Sequence, residues 1–328
     1  MNWNTFLLEQ PLEQAPAEAE CTLSALTSLG LIRVQGEDAR TFLQGQLTCD
    51  MDGVTSEQAR IGAWCTPKGR VLASMLIFQL GGNLYLQLPR ERIEAVLKRL
   101  RMFVLRAKVT LADASDELGI MAVSGNCAAD MIGEMPAERF GTKQDDGLTY
   151  IRFPGDPARI QVVGEGDLLI ALWKKWAQKA VTANSDGWVL QNIRSGIPTV
   201  LEATTEAFIP QMLNLDLLDG ISFTKGCYTG QEVVARMKYL GQLKRRMYLS
   251  RFETEATPQA GDKLFSPQSK SPQGAGKIVE VQPSPKGGWE ALVVAEIETA
   301  ETGDLHLDDS DGPLLNLQPP PYGLDTPE

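Results

Sequence analysis

The sequence predicts an α+β chain, built from two copies of a strand–helix module followed by a small β-barrel. Two observations carry this. First, a pattern recurs at an interval of 89 residues: Ile32, Val34, Gly36, Ala39, Phe42 and Leu43 match Met121, Val123, Gly125, Ala128, Met131 and Ile132. Each copy continues into further strands and a second amphipathic helix. Second, after Gly241 the chain turns to short alternating strands separated by Pro and Gly clusters, the texture of a small barrel or sandwich. Its 328 residues exceed one domain of about 100–200.

Residues 1–22 are rich in Glu, Gln, Pro and Ala and are expected to form a flexible arm, with order beginning near Leu23. The first module spans 23–115. Leu31 to Gly36 alternates and reads as a strand ending at a glycine; Glu37-Asp38 then opens a helix with Phe42, Leu43 and Leu47 on one face. Asn83 to Leu88 is a further strand, and Ile93, Val96, Leu97, Leu100 and Val104 follow at helical spacing. The second module spans 116–243, with a strand at Arg159 to Val163 and a helix from about Asp167 to Val181. The third region, 244–328, has strands at Arg245 to Phe252, Lys277 to Val281, Glu290 to Ile297 and Leu314 to Leu317, with no helix and an extended Pro-rich tail. Duplicated modules commonly leave a cleft between them, a frequent ligand position.

Composition narrows the function. Hydrophobic residues make up 43% and charged residues 22%, which excludes wholesale disorder. Lys and Arg number 31 against 42 Asp and Glu, a net charge of −11. That excludes coating of nucleic acid by bulk charge and leaves direct nucleic-acid binding a minor expectation. The single histidine, His306, is too few for a Ser-His-Asp or HExxH site and is expected to be a solvated surface residue. Five cysteines, none at CxxC spacing, give no zinc ribbon or dithiol centre. An odd count, with an N-terminus unlike a secretory signal, argues for a reducing, cytoplasmic setting. Apolar runs such as Val71 to Phe78 fall short of the ~20 residues that span a bilayer. A monomer with no membrane contact is expected. Charge is segregated, with ten acids and no Lys or Arg from Glu290 to Glu328, against seven bases and two acids from Arg90 to Lys108. Lys225 to Arg251 likewise holds seven bases and one acid.

The most informative stretch runs from Phe223 to Arg236. Thr229 and Glu232 form a T-x-x-E capping box before Val233 and Val234, which places a helix N-terminus near Gly230 and Cys227 in the loop ahead of it. Free N–H groups at that end and Lys225 two residues away both favour thiolate, so Cys227 and Lys225 are the candidate catalytic pair. Gly226 and Gly230 allow close backbone approach or positive φ. The alternative reading is a tight turn around a buried cysteine.

Lys225-Gly-Cys-Tyr-Thr-Gly-Gln-Glu232 resembles the K-G-C-Y-x-G-Q-E signature of the YgfZ family, folate-binding-type proteins related in fold to the glycine-cleavage aminomethyltransferase. Phe42 to Asp50, Lys68-Gly-Arg, Gly196-Ile-Pro and Phe208 to Leu215 resemble further family segments, so the likeness runs from about residue 25 to 245. It implies an aminomethyltransferase-like fold, with α+β modules around a folate-sized central cavity and a C-terminal β-barrel. It implies support of iron–sulfur enzymes, including radical proteins that thiomethylate tRNA, and so an effect on tRNA modification and replication control. The motif cysteine, here Cys227, is the family's key residue. Tyr228, Gln231 and Glu232 join Gly226 and Gly230 as the motif's binding positions, with Glu232 chiefly a cap.

Three positions depart from the aminomethyltransferase pattern. Ala73 and Ser74 stand where its catalytic aspartate would be, and neither can hold the charge that stabilises a developing iminium, so aminomethyl transfer is not expected. Arg194 replaces a pterin-binding glutamate; it has donors only and suits an anionic group such as a glutamyl carboxylate. Leu29 replaces one folate-sandwiching aromatic, and Trp188 keeps the other. Tetrahydrofolate or a derivative is the expected cofactor. Cys227 alone has a ligand's setting and the other cysteines are scattered, so no stably bound metal or cluster is expected. The alternatives are a tetrahydrofolate-dependent one-carbon transferase and a non-catalytic scaffold docking an acidic partner through Lys244, Arg245 and Arg246.

Overall fold

The computed structural model describes residues 2–14 and 19–324. They fall into two compact units: Met1–Gln44, Asp50–Ile61 and Met75–Trp188 in the first, and Gly45–Cys49, Gly62–Ser74 and Val189–Glu328 in the second. The elements in order are α1 (Trp3–Leu7), β1 (Cys21–Ala25), β2 (Leu29–Gln35), α2 (Ala39–Gln44), β3 (Arg60–Cys65), β4 (Val71–Leu80), β5 (Asn83–Pro89), α3 (Ile93–Arg101), β6 (Thr110–Asp113), β7 (Leu118–Gly125), α4 (Cys127–Ile132), β8 (Thr142–Asp145), β9 (Leu148–Phe153), β10 (Arg159–Glu165), α5 (Gly166–Trp176) and β11 (Val181–Ala183). Then come α6 (Asp186–Arg194), α7 (Gln231–Tyr239), β12 (Arg245–Phe252), β13 (Lys263–Phe265), β14 (Gly276–Pro283), β15 (Trp289–Glu296), α8 (Ile297–Thr302), β16 (His306–Leu307) and β17 (Asn316–Gln318).

The repeat is visible strand by strand. One sheet has the order β3-β4-β5-β2-β6; the other reads β8-β9-β10-β7-β1, extended by β11. In each, the strand–helix start of the copy (β2 with α2, β7 with α4) pairs antiparallel with a later strand of that copy, β5 or β10. The outer partner of each is exchanged. By the 89-residue offset β6 is the counterpart of β1 and opens the second copy, although the expected bound at 115 put it in the first; β1 pairs with β7 of the second copy, and β6 with β2 of the first. Gly36 and Gly125, matched in the repeat, both have positive φ, at 121° and 113°. A β-carbon on Gly36 would strike the Lys108 carbonyl just ahead of β6, and one on Gly125 the Glu20 carbonyl just ahead of β1, so both positions require glycine.

Helix α3 buries Ile93, Val96, Leu97 and Leu100 as its spacing predicts. Helix α5 ends at Trp176, and Val181, expected inside it, instead opens β11. The flexible-arm reading of residues 1–22 is corrected for residues 2–14. Helix α1 buries Trp3, Phe6 and Leu7, and Trp3 meets Trp173 edge to face at 5.6 Å. Three large apolar side chains in five residues outweigh the polar composition around them. Residues 1 and 15–18 lie outside the described residues. Cys21 and Cys127, read as scattered, are joined in a disulfide with Cα atoms 5.7 Å apart.

The C-terminal strands form one antiparallel sheet, β16-β13-β14-β15-β12-β17, curled into a half-barrel. Residues 313–318 draw its edges together, because they bond Leu305 and Leu307 at one end and β12 at the other. Its interior holds Tyr248, Phe252, Leu264, Ile278 and Val293. The expectation of no helix here is corrected by α8. The Pro-rich tail is not simply extended: the Tyr322 hydroxyl donates to the Gly196 carbonyl at 2.9 Å and accepts from Asn214 at 3.3 Å. His306 is held rather than solvated, with Nδ1 at 2.9 Å from the Gly312 carbonyl and Nε2 at 3.0 Å from Asp304. No helix among the described residues is long and apolar enough to cross a membrane.

Candidate functional site

The residues around Cys227 come from three segments of the second unit. Helix α7 starts at Gln231 behind Gly230, where the capping signature placed a helix end. The cap itself differs. Gly230 is the capping residue, at φ 86°, and no side chain bonds the first turn. Glu232 pairs instead with Arg236 one turn on, at 2.7 Å. The reason is steric. A β-carbon at Gly230 would come to 2.5 Å from the Thr66 carbonyl and 3.1 Å from Gly69, so the chain takes the left-handed conformation that only glycine holds cheaply. Gly69, itself at φ 69°, is packed against Val233. The turn closed by Thr66 and Arg70 therefore seats the start of α7.

The second contact is made by Lys225. Its ammonium donates to the carbonyls of Leu47 and Cys49, at 2.7 Å each, and lies 5.1 Å from the Tyr228 ring centre. Thr48 between those carbonyls is bonded on every side: its Oγ1 donates to Gly220 O at 2.6 Å and accepts from Ala63 N at 2.8 Å, while its carbonyl accepts from Ser222 N. The Ser222 hydroxyl accepts from Lys225 N. Residues 45–49 thus form a ledge to which the motif loop is stapled. Sequence reasoning gave that ledge no role; its signal was the resemblance of Gln44 to Asp50, without a chemistry attached. The geometry ties Lys225 to main-chain oxygens.

Of the three cysteines outside the disulfide, Cys227 is exposed, while Cys49 and Cys65 are buried. Burial pushes the Cys65 thiol up to about 12. Tyr228, the next residue of the loop, is buried and its hydroxyl is unpartnered. Burial raises its pKa, and the nearby Cys65 and Cys49 raise it further. Gly226 is exposed with open space where a β-carbon would sit, and Gln231 is half-buried at the first position of α7. Gln211 fixes the same helix by donating to the Val234 carbonyl at 2.6 Å. No group of three or more His, Cys, Asp or Glu among the described residues has the geometry of a metal site.

The two residues expected to meet folate lie in different units. Trp188, in the first, is 3% exposed, with the Arg159 guanidinium 4.7 Å over its ring and Phe153 edge-on at 4.9 Å. Arg194, in the second, forms a two-pronged pair with Glu290 at 2.7 Å for each bond. As packed, neither offers a ligand a free ring face or a free guanidinium fork. Ser74 is a structural pin: its hydroxyl donates to Pro198 O at 3.1 Å and accepts from Val200 N at 3.0 Å. Of the three bases expected to dock a partner, Arg245 is bonded to Glu296 and Gly274. Arg246 is buried against Asp216, which leaves Lys244 exposed.

With this geometry established, comparison with known proteins gives a consistent picture. Residues 13–153 match the GCVT N-terminal domain family. The chain is 34% identical over 291 residues to the tRNA-modifying protein YgfZ of Colwellia psychrerythraea, covering 87% of each chain. It is 30% identical over 329 residues to the protein of that name from Shigella boydii serotype 4, covering 99% of this chain and 100% of the other. The glycine cleavage system aminomethyltransferase T from Bartonella henselae superposes with a TM-score of 0.66 at 14% identity, covering 93% of this chain and 86% of that one. This last likeness is one of fold.

Proposed function

The chain belongs to the YgfZ family, and from that premise we propose that it is an accessory factor in tRNA modification whose working group is the Cys227 thiol. In this reading it supports assembly or repair of the iron–sulfur enzymes that thiomethylate tRNA, and through them bears on replication control. One observation carries it: Cys227 is the free, exposed thiol in a loop whose other contacts hold it in place. An accessible thiol on a fixed loop suits transient ligation or thiol exchange with a client. A single such thiol does not build a resident cluster.

The test is complementation. In a strain deleted for the native gene, Cys227→Ser is expected to abolish rescue of tRNA thiomethylation, read by mass spectrometry of nucleosides, while the melting temperature stays at the wild-type value. Full rescue would remove the chemical role of Cys227.

Tetrahydrofolate is the ligand that the family resemblance brings to this reading. The commitments of Trp188 and Arg194 described above give it no ready contact, so no step is routed through it. Calorimetric titration into wild type and Trp188→Ala tests it directly: binding lost in the variant places the ligand at that ring, and no binding removes folate from the proposal. The pinned Ser74 and paired Arg194 lend nothing to a one-carbon transferase.

A further inference from the structure

Helix α7 begins at the motif and ends in a surface the proposed function does not use. Tyr239 and Leu240 are 63% and 86% exposed, and two adjacent large side chains left in water mark an interaction surface more often than a lone one does. Lys238 Nζ lies 4.0 Å from the Phe223 ring centre and 5.7 Å from that of Tyr239. The two rings meet edge to face at 6.2 Å. Phe223 to Lys244 carries four bases and one acid; Lys225 is held by carbonyls and Arg236 by Glu232, while Lys238 and Lys244 face solvent. On a chain of net charge −11 this is a local positive island.

The partner that fits must bring negative charge and flat faces together. Single-stranded RNA does so in every nucleotide, with a phosphate for an ammonium and a base for a ring. An acidic protein segment would supply the charge and leave the tyrosine ring without a stacking face. We propose that the C-terminal end of α7 binds an unpaired loop of RNA, with Tyr239 stacking on a base and Lys238 and Lys244 meeting phosphates. This rests on the tRNA-modification reading above and names the partner of that site. The nine residues of α7 span about 13 Å, so the RNA contact lies one helix length beyond the end that follows the Cys227 loop. The net negative charge excludes bulk coating but not a contact of a few nucleotides.

The test is fluorescence anisotropy with the full chain, using a labelled RNA hairpin that has an unpaired loop and a fully paired duplex of the same length. The hairpin is expected to bind more tightly than the duplex. Tyr239→Ala should weaken hairpin binding about tenfold or more, and Lys238→Ala should flatten the log–log salt slope by about 0.7. Both positions are exposed, and unchanged melting temperatures establish that the variants fold. Absence of hairpin binding at about 50 mM salt, equal binding of the duplex, or wild-type affinity in both variants would each overturn the inference. So would variants that keep RNA affinity but lose capture of a thiomethylating iron–sulfur enzyme, since the surface would then belong to a protein. Cys227→Ser separates the two readings. It should bind the hairpin as wild type does while failing to rescue; rescue with intact RNA binding removes the proposed function alone, and failed rescue without wild-type RNA binding removes this inference alone.

Discussion

Lys225 and Glu280 show opposite fates of a charged side chain taken from water. Lys225 finds two carbonyl acceptors, and hydrogen bonds to a charged donor contribute about 1.5–3 kcal/mol. Lys225→Met is therefore expected to lower the unfolding free energy by a few kcal/mol in total, read as a lower urea midpoint, while Cys227 is alkylated at the wild-type rate once folded. A large fall in that rate would return Lys225 to the role of thiolate activator. Glu280 is buried in the C-terminal sheet, with one carboxylate oxygen unpartnered. Burial pushes its pKa up to about 8, against a smaller opposing effect of the Thr199 hydrogen bond. The folded state then holds the proton more tightly than the unfolded one, whose carboxyl titrates near the ordinary value of 4.5. Stability from this group is full below that value, falls as pH rises toward about 8, and stays low above it. Glu280→Gln should match wild type near pH 4.5 and exceed it by on the order of 5 kcal/mol above pH 8, measured by urea melts at both ends. Equal stabilities at the alkaline end would mean that the carboxylate finds a partner there.

Helix α7 separates what periodicity can reveal from what it cannot. The start of the helix was legible, because polar and glycine residues precede Val233 and Val234. The cap was not, because the T-x-x-E signature competes with a turn about 160 residues upstream that sequence spacing cannot see. Gly230→Ala should expose that competition. It forces a β-carbon against Thr66 and Gly69 in a conformation that itself costs about 1 kcal/mol for a non-glycine residue, so a loss of about 2–4 kcal/mol and a lower melting temperature are expected. Gly226→Ala, which meets open space, should leave stability near wild type. Equal effects at the two glycines would show that packing against the turn is not what fixes the loop. The same limit applies elsewhere in the site. The partners of Lys225 are backbone atoms 176 and 178 residues away, and Cys21 meets Cys127 across 106 residues, so neither contact leaves a local pattern. Helix α3 is legible from Ile93 to Leu100 because its information is local, although Val104, expected on the same face, lies beyond its end at Arg101. Helix α1 was missed because the three residues that anchor it lie in a stretch with a disordered composition.

At the scale of the duplicated modules, the exchange of leading strands makes a prediction about cooperativity. Leu23 on β1 is buried beside β7 in the second sheet, and Leu111 on β6 is buried beside β2 in the first. Each module therefore lacks an outer strand until the chain of the other is in place. The repeat was legible because its matched residues recur in order; the exchange was not, since β1 and β6 lie outside the matched stretch and alternation does not say which sheet a strand joins. A buried Leu→Ala change costs about 2–5 kcal/mol. If the modules were independent, Leu23→Ala would weaken the second sheet alone and Leu111→Ala the first alone. With the strands exchanged, either substitution should lower amide-exchange protection in β2 and β7 together and by similar amounts. Native-state hydrogen exchange on the two variants measures this directly. Loss of protection confined to the sheet that carries the substitution would show that the exchanged strands dock after each module has folded, and that the duplication left two separable units of folding rather than one.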